Sequence, residues 1–220
     1  MAIFSAGDMP EPEEEEPIET EEETEEVTDA EGNTTLTMRL NTNIEDCYLD
    51  FVYTLPADDY MVGMSLQPHN MQLALAQNMS SLEMQWNQSI PQQEKGRKFE
   101  EKYAQLQYMF VGGEVEKLSE MKSDRANESA RLKWIAYKDQ FFSTVMIAED
   151  AFESTTMEST PLNPQSRYIK EYKTTTSLPW DLTGKQTTNL KYYFGPNHYN
   201  TLKAYDKDVE KAERLHLNEL

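Results

Sequence analysis

Cysteine is almost missing from this chain. Cys47 is the only one in 220 residues, so neither an internal disulfide nor a thiolate metal cluster can form. Its surroundings, "NIEDCYLDF", read as a strand with a buried, inert thiol. Histidine is also scarce: His69, His198 and His216 lie far apart and show no metal-binding spacing. Neither a G-x-G-x-x-G nor a G-x-x-x-x-G-K-S/T phosphate loop occurs, and there is no G-x-S-x-G nucleophile elbow. The reading from these absences is no catalytic residue, no metal ligand and no cofactor. Sugar ring-opening would need a general acid and a general base across the ring, and nothing local supplies such a pair.

Basic charge is short as well. Of the 40 acids, 14 fall in residues 1–32, where there is no Lys or Arg; 26 acids and 20 bases remain, a net charge of about −6. Clustered Lys and Arg are what phosphate binding needs, so nucleic acid is not an expected partner, nor is charge-driven adhesion to anionic lipid. No apolar run approaches the roughly 18–20 residues that span a bilayer. "MAIFSAGD" lacks the basic region of a signal peptide. The chain reads as soluble, and any export signal or membrane contact is expected from segments outside it.

What is present divides into three parts. Residues 1–32 are low in complexity, with glutamates that repel and prolines that interrupt; they predict a disordered acidic tail. Residues 33–196 carry strand patterns. "TTLTMRLN" alternates Leu36, Met38 and Leu40 against polar residues, and "CYLDFVYTL-PADD-YMVGMSLQ" reads as a hairpin. "MQLALAQNM" and "LEMQWNQSI" predict two more strands, the second with Leu82, Met84 and Trp86 on one face. "EKGRKFEEK" reads as a charged loop or one helical turn, and "YAQLQYMFV" as a strand closed by Gly112-Gly113. Residues 114–130 are polar and weakly helical, a long excursion. "RLKWIAYKDQFFSTVMIAED" is the richest apolar stretch, expected as two central strands turning near Lys138-Asp139, where Lys138, Asp139 and Gln140 read as a turn with charges outward, the alternative being the polar rim of a groove. "RYIKEYKTTTSL" alternates once more. The total is nine or ten strands without βαβ alternation, which points to a mainly β fold, a twisted antiparallel β-sandwich.

The third part, residues 197–220, is expected to be a C-terminal helix. Before it, Leu190–Phe194 suits a strand, and Gly195-Pro196 reads as the turn that ends it. Asn197 is a favoured N-cap. Tyr199, Leu202, Tyr205 and Val209 recur at helical steps. His198 falls in the first helical turn without a partner constellation and reads as a surface or packing residue. The strand aromatics, including Trp86, Trp134, Tyr137, Phe141, Phe142 and Tyr192–Phe194, read as core rather than as a stacking platform for sugars.

Two stretches resemble the periplasmic domain of the membrane protein insertase YidC. "LKWIAYKDQFFSTVMIA" (132–148) is similar to that family's segment with a Trp, an aromatic pair and then an apolar strand. "NLKYYFGPNHYNTL" (189–202) is similar to its strand ending in Gly-Pro before the last helices. Residues 48–67 resemble its earlier hairpin more generally. The resemblance implies a supersandwich of the mutarotase type with helices at its end, non-catalytic, at the periplasmic face of the bacterial inner membrane. It implies as partners Sec translocon components and membrane proteins undergoing insertion. It also implies Trp134, Phe141 and Phe142 as core, Gly195 and Pro196 as the turn, and Tyr199, Leu202 and Tyr205 as the docking face of the last helix. On this comparison the acidic run stands where the family's first strands would be, leaving a sheet edge uncovered. The alternatives from residues alone are a carbohydrate-binding or sugar-processing β-sandwich, and a free-standing secreted interaction protein with an acidic tail.

Overall fold

The computed structural model describes residues 22–205. The elements in chain order are β1 (Glu22–Thr28), β2 (Thr34–Asn41), β3 (Tyr48–Leu55), β4 (Met61–His69), β5 (Ser81–Pro91), α1 (Arg97–Tyr103), β6 (Gln105–Phe110), β7 (Val115–Lys117), β8 (Asp124–Glu128), β9 (Leu132–Lys138), β10 (Phe142–Pro161), β11 (Tyr168–Pro179), β12 (Thr188–Pro196) and α2 (Tyr199–Ala204). All strand pairs are antiparallel. The larger sheet runs β1-β2-β3-β4-β12-β10-β9-β6-β7, and β8, β10, β11 and β5 form the second.

β10 belongs to both sheets. Its first half pairs with β9 and β12, and its second half with β8 and β11. The register breaks between Ile147 and Phe152 and again between Glu153 and Thr156, around Ser154 at a φ of 48°. Such irregularities let one strand turn the corner of a sandwich. Both faces of the central strands are covered. Ile135, Tyr137, Met146 and Leu190 pack between the sheets with Ile90, Met157, Ile169 and Tyr172. Trp134, Ala136, Val145, Ile147 and Tyr193 pack on the opposite face, under Leu202 of α2. A strand buried on both sides reads as a continuous apolar run, which is the pattern of residues 132–138 and 145–148. β5 has only one buried face, and Leu82, Met84, Trp86, Gln88 and Ile90 point inward in strict alternation.

Several expectations change. The acidic tail does not extend to residue 32: β1 pairs with β2 along its whole length. Asp29 closes that hairpin, accepting hydrogen bonds from the Asn33 amide and side chain at 2.8 Å, with Gly32 at a φ of 86°. Glu23, Glu25 and Glu26 of β1 stand in solvent while the backbone pairs, so repulsion does not prevent a strand. The remainder of the predicted tail, residues 1–21, lies outside the described residues, as does the expected helix beyond residue 205. "MQLALAQNM" is a 3-10 turn (Met71–Leu73) and a loop, not a strand. Its apolar residues anchor that loop instead, Met71, Leu75 and Met79 packing with Cys47, Leu66, Trp180 and Leu182. The excursion at 114–130 holds two short strands, β7 and β8. The described strands number twelve.

The end of β12 also differs. The strand continues through Gly195 and Pro196, which pair with Ser143 and Phe142. The N-cap position is His198, without a side-chain cap. Asn197 instead ties down the β9–β10 turn: its amide donates to Phe141 O at 2.7 Å, its Nδ2 to Asp139 O at 2.9 Å, and its Oδ1 accepts from Ser143 Oγ at 2.6 Å. The turn offers carbonyls that a helix cap could not reach, so Asn197 serves it.

Candidate functional site

Where the two sheets part, beside that turn, lies a groove of about 300 Å³. β5 contributes Gln88, Ile90 and Pro91 to one wall. β10 and β12 contribute Phe142, Thr144 and Phe194 to the other. Alternation puts Phe142 and Thr144 on the same face as Met146, the face turned toward the second sheet, and Phe194 pairs with Thr144. The second sheet stops short of them. Phe142 is therefore 62% exposed and Phe194 52%, two aromatic rings at a groove mouth. Tyr192 stacks on Phe194 at 5.9 Å and holds it in line with the core.

Tyr137 and Asp139 also line it, Asp139 beside Phe142, whose carbonyl accepts the Asp139 amide at 2.8 Å. The Tyr137 ring lies flat on Trp86 at 3.8 Å. Its hydroxyl donates to Trp86 O at 2.7 Å and is 2.7 Å from Thr174 Oγ1. Asp139 differs. Its Oδ1 is buried with no hydrogen-bond partner. Burial pushes its carboxyl above the usual range; a backbone hydrogen bond from Gln140 opposes the shift, and the charges of Glu100 and Glu94 add to it. The Tyr172 hydroxyl, also buried, lacks a partner as well, and burial followed by the nearby Asp139 charge holds it far from ionising. Glu100 is satisfied, accepting the amides of Gln93 at 2.8 Å and Glu94 at 3.2 Å.

The residues lining the groove include no His or Cys. Among the described residues no group of three His, Cys, Asp or Glu could hold a metal ion. His69 stacks on Tyr48 at 4.5 Å, and His198 Nδ1 is 3.0 Å from Thr201 Oγ1 at the surface. The geometry suits binding: two apolar lips, a few polar groups and a half-buried carboxylate with one unpartnered oxygen.

Against known families, residues 5–216 match the YidC periplasmic domain. The chain belongs to that family. It is 49% identical over 183 residues to the membrane protein insertase YidC of Parabacteroides distasonis, covering 83% of this chain and 29% of that protein. The insertase of Azobacteroides pseudotrichonymphae gives 49% over 183 residues, 83% of this chain and 30% of the relative. That of Porphyromonas gingivalis gives 33% over 174 residues, 79% and 28%. The chain thus spans under a third of the length of these relatives. The family match starts at residue 5, so the acidic run falls within the matched residues.

The residues singled out for this YidC periplasmic domain separate into two places. Trp134, Leu202 and Tyr205 meet on the outer face of the larger sheet, Trp134 and Leu202 buried and Tyr205 packed on the cluster. Tyr205 meets Tyr193 edge-on at 5.6 Å and donates to Asp59 Oδ1 at 2.5 Å. Tyr199 does not join them; it is 52% exposed, with Lys203 over its ring. Phe141 and Phe142 are not core. They are 54% and 62% exposed, because the β9–β10 turn overhangs the end of the second sheet. Gly195 and Pro196 are the last residues of β12 and not a turn, and Gly195 lines the groove. Ile90 and Phe194 were missed as groove residues, and the reading of Asp139 as part of a groove rim was set second to a plain turn. The available signal was an aromatic pair directly after a polar turn, where a core reading leaves no strand to cover the rings.

Proposed function

We propose that this chain is the non-catalytic periplasmic domain of a YidC-type insertase, at the periplasmic face of the bacterial inner membrane. It assists membrane protein insertion and folding by offering a rigid surface to chains that carry apolar segments, and contacts Sec translocon components in the same compartment. The observation that carries this reading is the pair of exposed rings, Phe142 and Phe194, held at the mouth of a groove by strands whose other face is fully packed. Solvent-exposed aromatics on a rigid frame are characteristic of binding surfaces. Family membership supports a role in insertion. The sugar-binding alternative is not favoured: Trp86 and Tyr137 stack on one another, which occupies the faces a sugar ring would use.

The test is a photo-crosslinking residue at position 194 of the full-length insertase during insertion of a model membrane protein. Adducts with the inserting chain are expected, and they should diminish with Phe142→Ser. No adduct with either the inserting chain or the translocon would remove the docking role of this groove.

A further inference from the structure

The groove has a chemical preference written into its lining. Asp139 brings a carboxylate with a buried, unpartnered Oδ1. The nearby charges recorded for it are also negative, those of Glu100 and Glu94, and no Lys or Arg lines the groove. Lys170, buried on β11, donates to Ala104 O and does not serve Asp139. Asp139 is half-buried, and among the described residues its only donor is the backbone amide of Gln140; a carboxylate left this short of partners is costly, and a cation that reaches it forms a charge-assisted hydrogen bond. The walls carry Phe142 and Phe194 on one side and Ile90 and Pro91 on the other, alongside the polar Gln88, Ser143 and Thr144.

At about 300 Å³ the cavity is at the small end for ligand pockets. It admits one long side chain better than a whole folded element. A Lys or Arg fits both parts, since its methylene stem lies along apolar surface while its head finds the charge.

We propose that this groove is a pocket for a basic residue within an apolar peptide segment. The ammonium or guanidinium sits on Asp139, the stem runs between Phe142 and Ile90, and the neighbouring apolar side chains rest on Phe194. This deepens the groove reading above and rests on it. The occupant is an extended apolar stretch carrying a single Lys or Arg.

The experiment measures fluorescence anisotropy with the 220-residue chain and three labelled apolar peptides that differ at one central position: Lys, Gln or Glu. The Lys peptide is expected to bind about tenfold more tightly than the Gln peptide, with the Glu peptide weakest. Asp139→Asn should erase the difference between Lys and Gln, and Asp139→Ser should do the same without an amide in place; thermal melts confirm that each variant is folded. Phe142→Ser should weaken all three peptides alike. If the three peptides bind equally and Asp139→Asn changes none of them, the basic-residue pocket is overturned while the apolar groove stands. If none of the peptides binds, both readings are overturned.

Discussion

A methyl group added at Gly195 would lie 2.5 Å from the ring and hydroxyl of Tyr193. That ring cannot move away easily. It is buried against Trp134 and Val145, and its hydroxyl donates to Pro196 O at 2.7 Å. Gly195→Ala is expected to cost about 1–3 kcal/mol, the usual range for overpacking, and Gly195→Val more; urea unfolding midpoints measure it. Phe142→Ser should behave in the opposite way. Its ring is mostly in water, so stability should stay within about 0.5 kcal/mol while peptide capture weakens. A loss of stability as large as that of Gly195→Ala would show that Phe142 is a packing residue after all. The contrast concerns neighbouring positions: Phe142 pairs with Pro196, the residue after Gly195.

Among the elements, α1 is small but acts as a clamp. Arg97 reaches from it to the β10–β11 connection and donates to the carbonyls of Ser166 at 2.7 Å, Tyr168 at 3.0 Å and Asn163 at 3.1 Å. Its Nε pairs with Glu101 at 2.6 Å. Lys cannot fan out to several carbonyls as a guanidinium does. Arg97→Ala should cost about 3 kcal/mol, from charge-assisted bonds lost and carbonyls left unsatisfied, and Arg97→Lys should recover little of it in denaturant melts. β1 is the opposite kind of element. It pairs with β2 alone, and the side chains described for it are exposed. Its amides should exchange hydrogen well before those of β9 and β10, which lie inside the sheet with both faces buried. Equal protection would mean that β1 has a further partner in solution.

For the molecule as a whole, buried titrating groups set the alkaline stability. Burial lowers the Lys170 ammonium to about 8, partly opposed by Glu120 and Glu101. The unfolded chain holds that proton up to an ordinary Lys value of about 10.4. Between these values the unfolded state binds more protons, so stability rises with pH through this window. Burial raises Tyr192 and Tyr193 to about 12. Above about pH 10 the unfolded tyrosines lose protons that the folded ones keep, so stability falls there. Denaturation midpoints across pH 7–12 should therefore pass through a maximum near pH 10, and Lys170→Met should flatten the rising limb while leaving the fall. A flat profile in the unsubstituted chain would mean that Lys170 finds water or a counter-charge in the folded state.

Much of this was legible from residues alone. Alternation in 82–90 and the apolar runs in 132–148 identify strands because backbone geometry fixes which side chains share a face. The hairpin at 48–69 and the sandwich class follow from the same periodicity, and the motifs at 132–148 and 189–202 were enough to indicate the family. Periodicity does not say where one sheet ends and the other ceases to cover it. For that reason Phe141 and Phe142 read as core but stand in solvent, and Asp139 read as an outward turn charge but lines a groove. A β1 rich in glutamate was hidden because its pairing is made by the backbone, to which charge patterns are blind. Composition and local pattern determined the β class and the family resemblance, through propensity and burial period. Only the tertiary structure decided which apolar side chains lack a cover and which polar group lacks a partner, because both depend on contacts between residues distant in the chain.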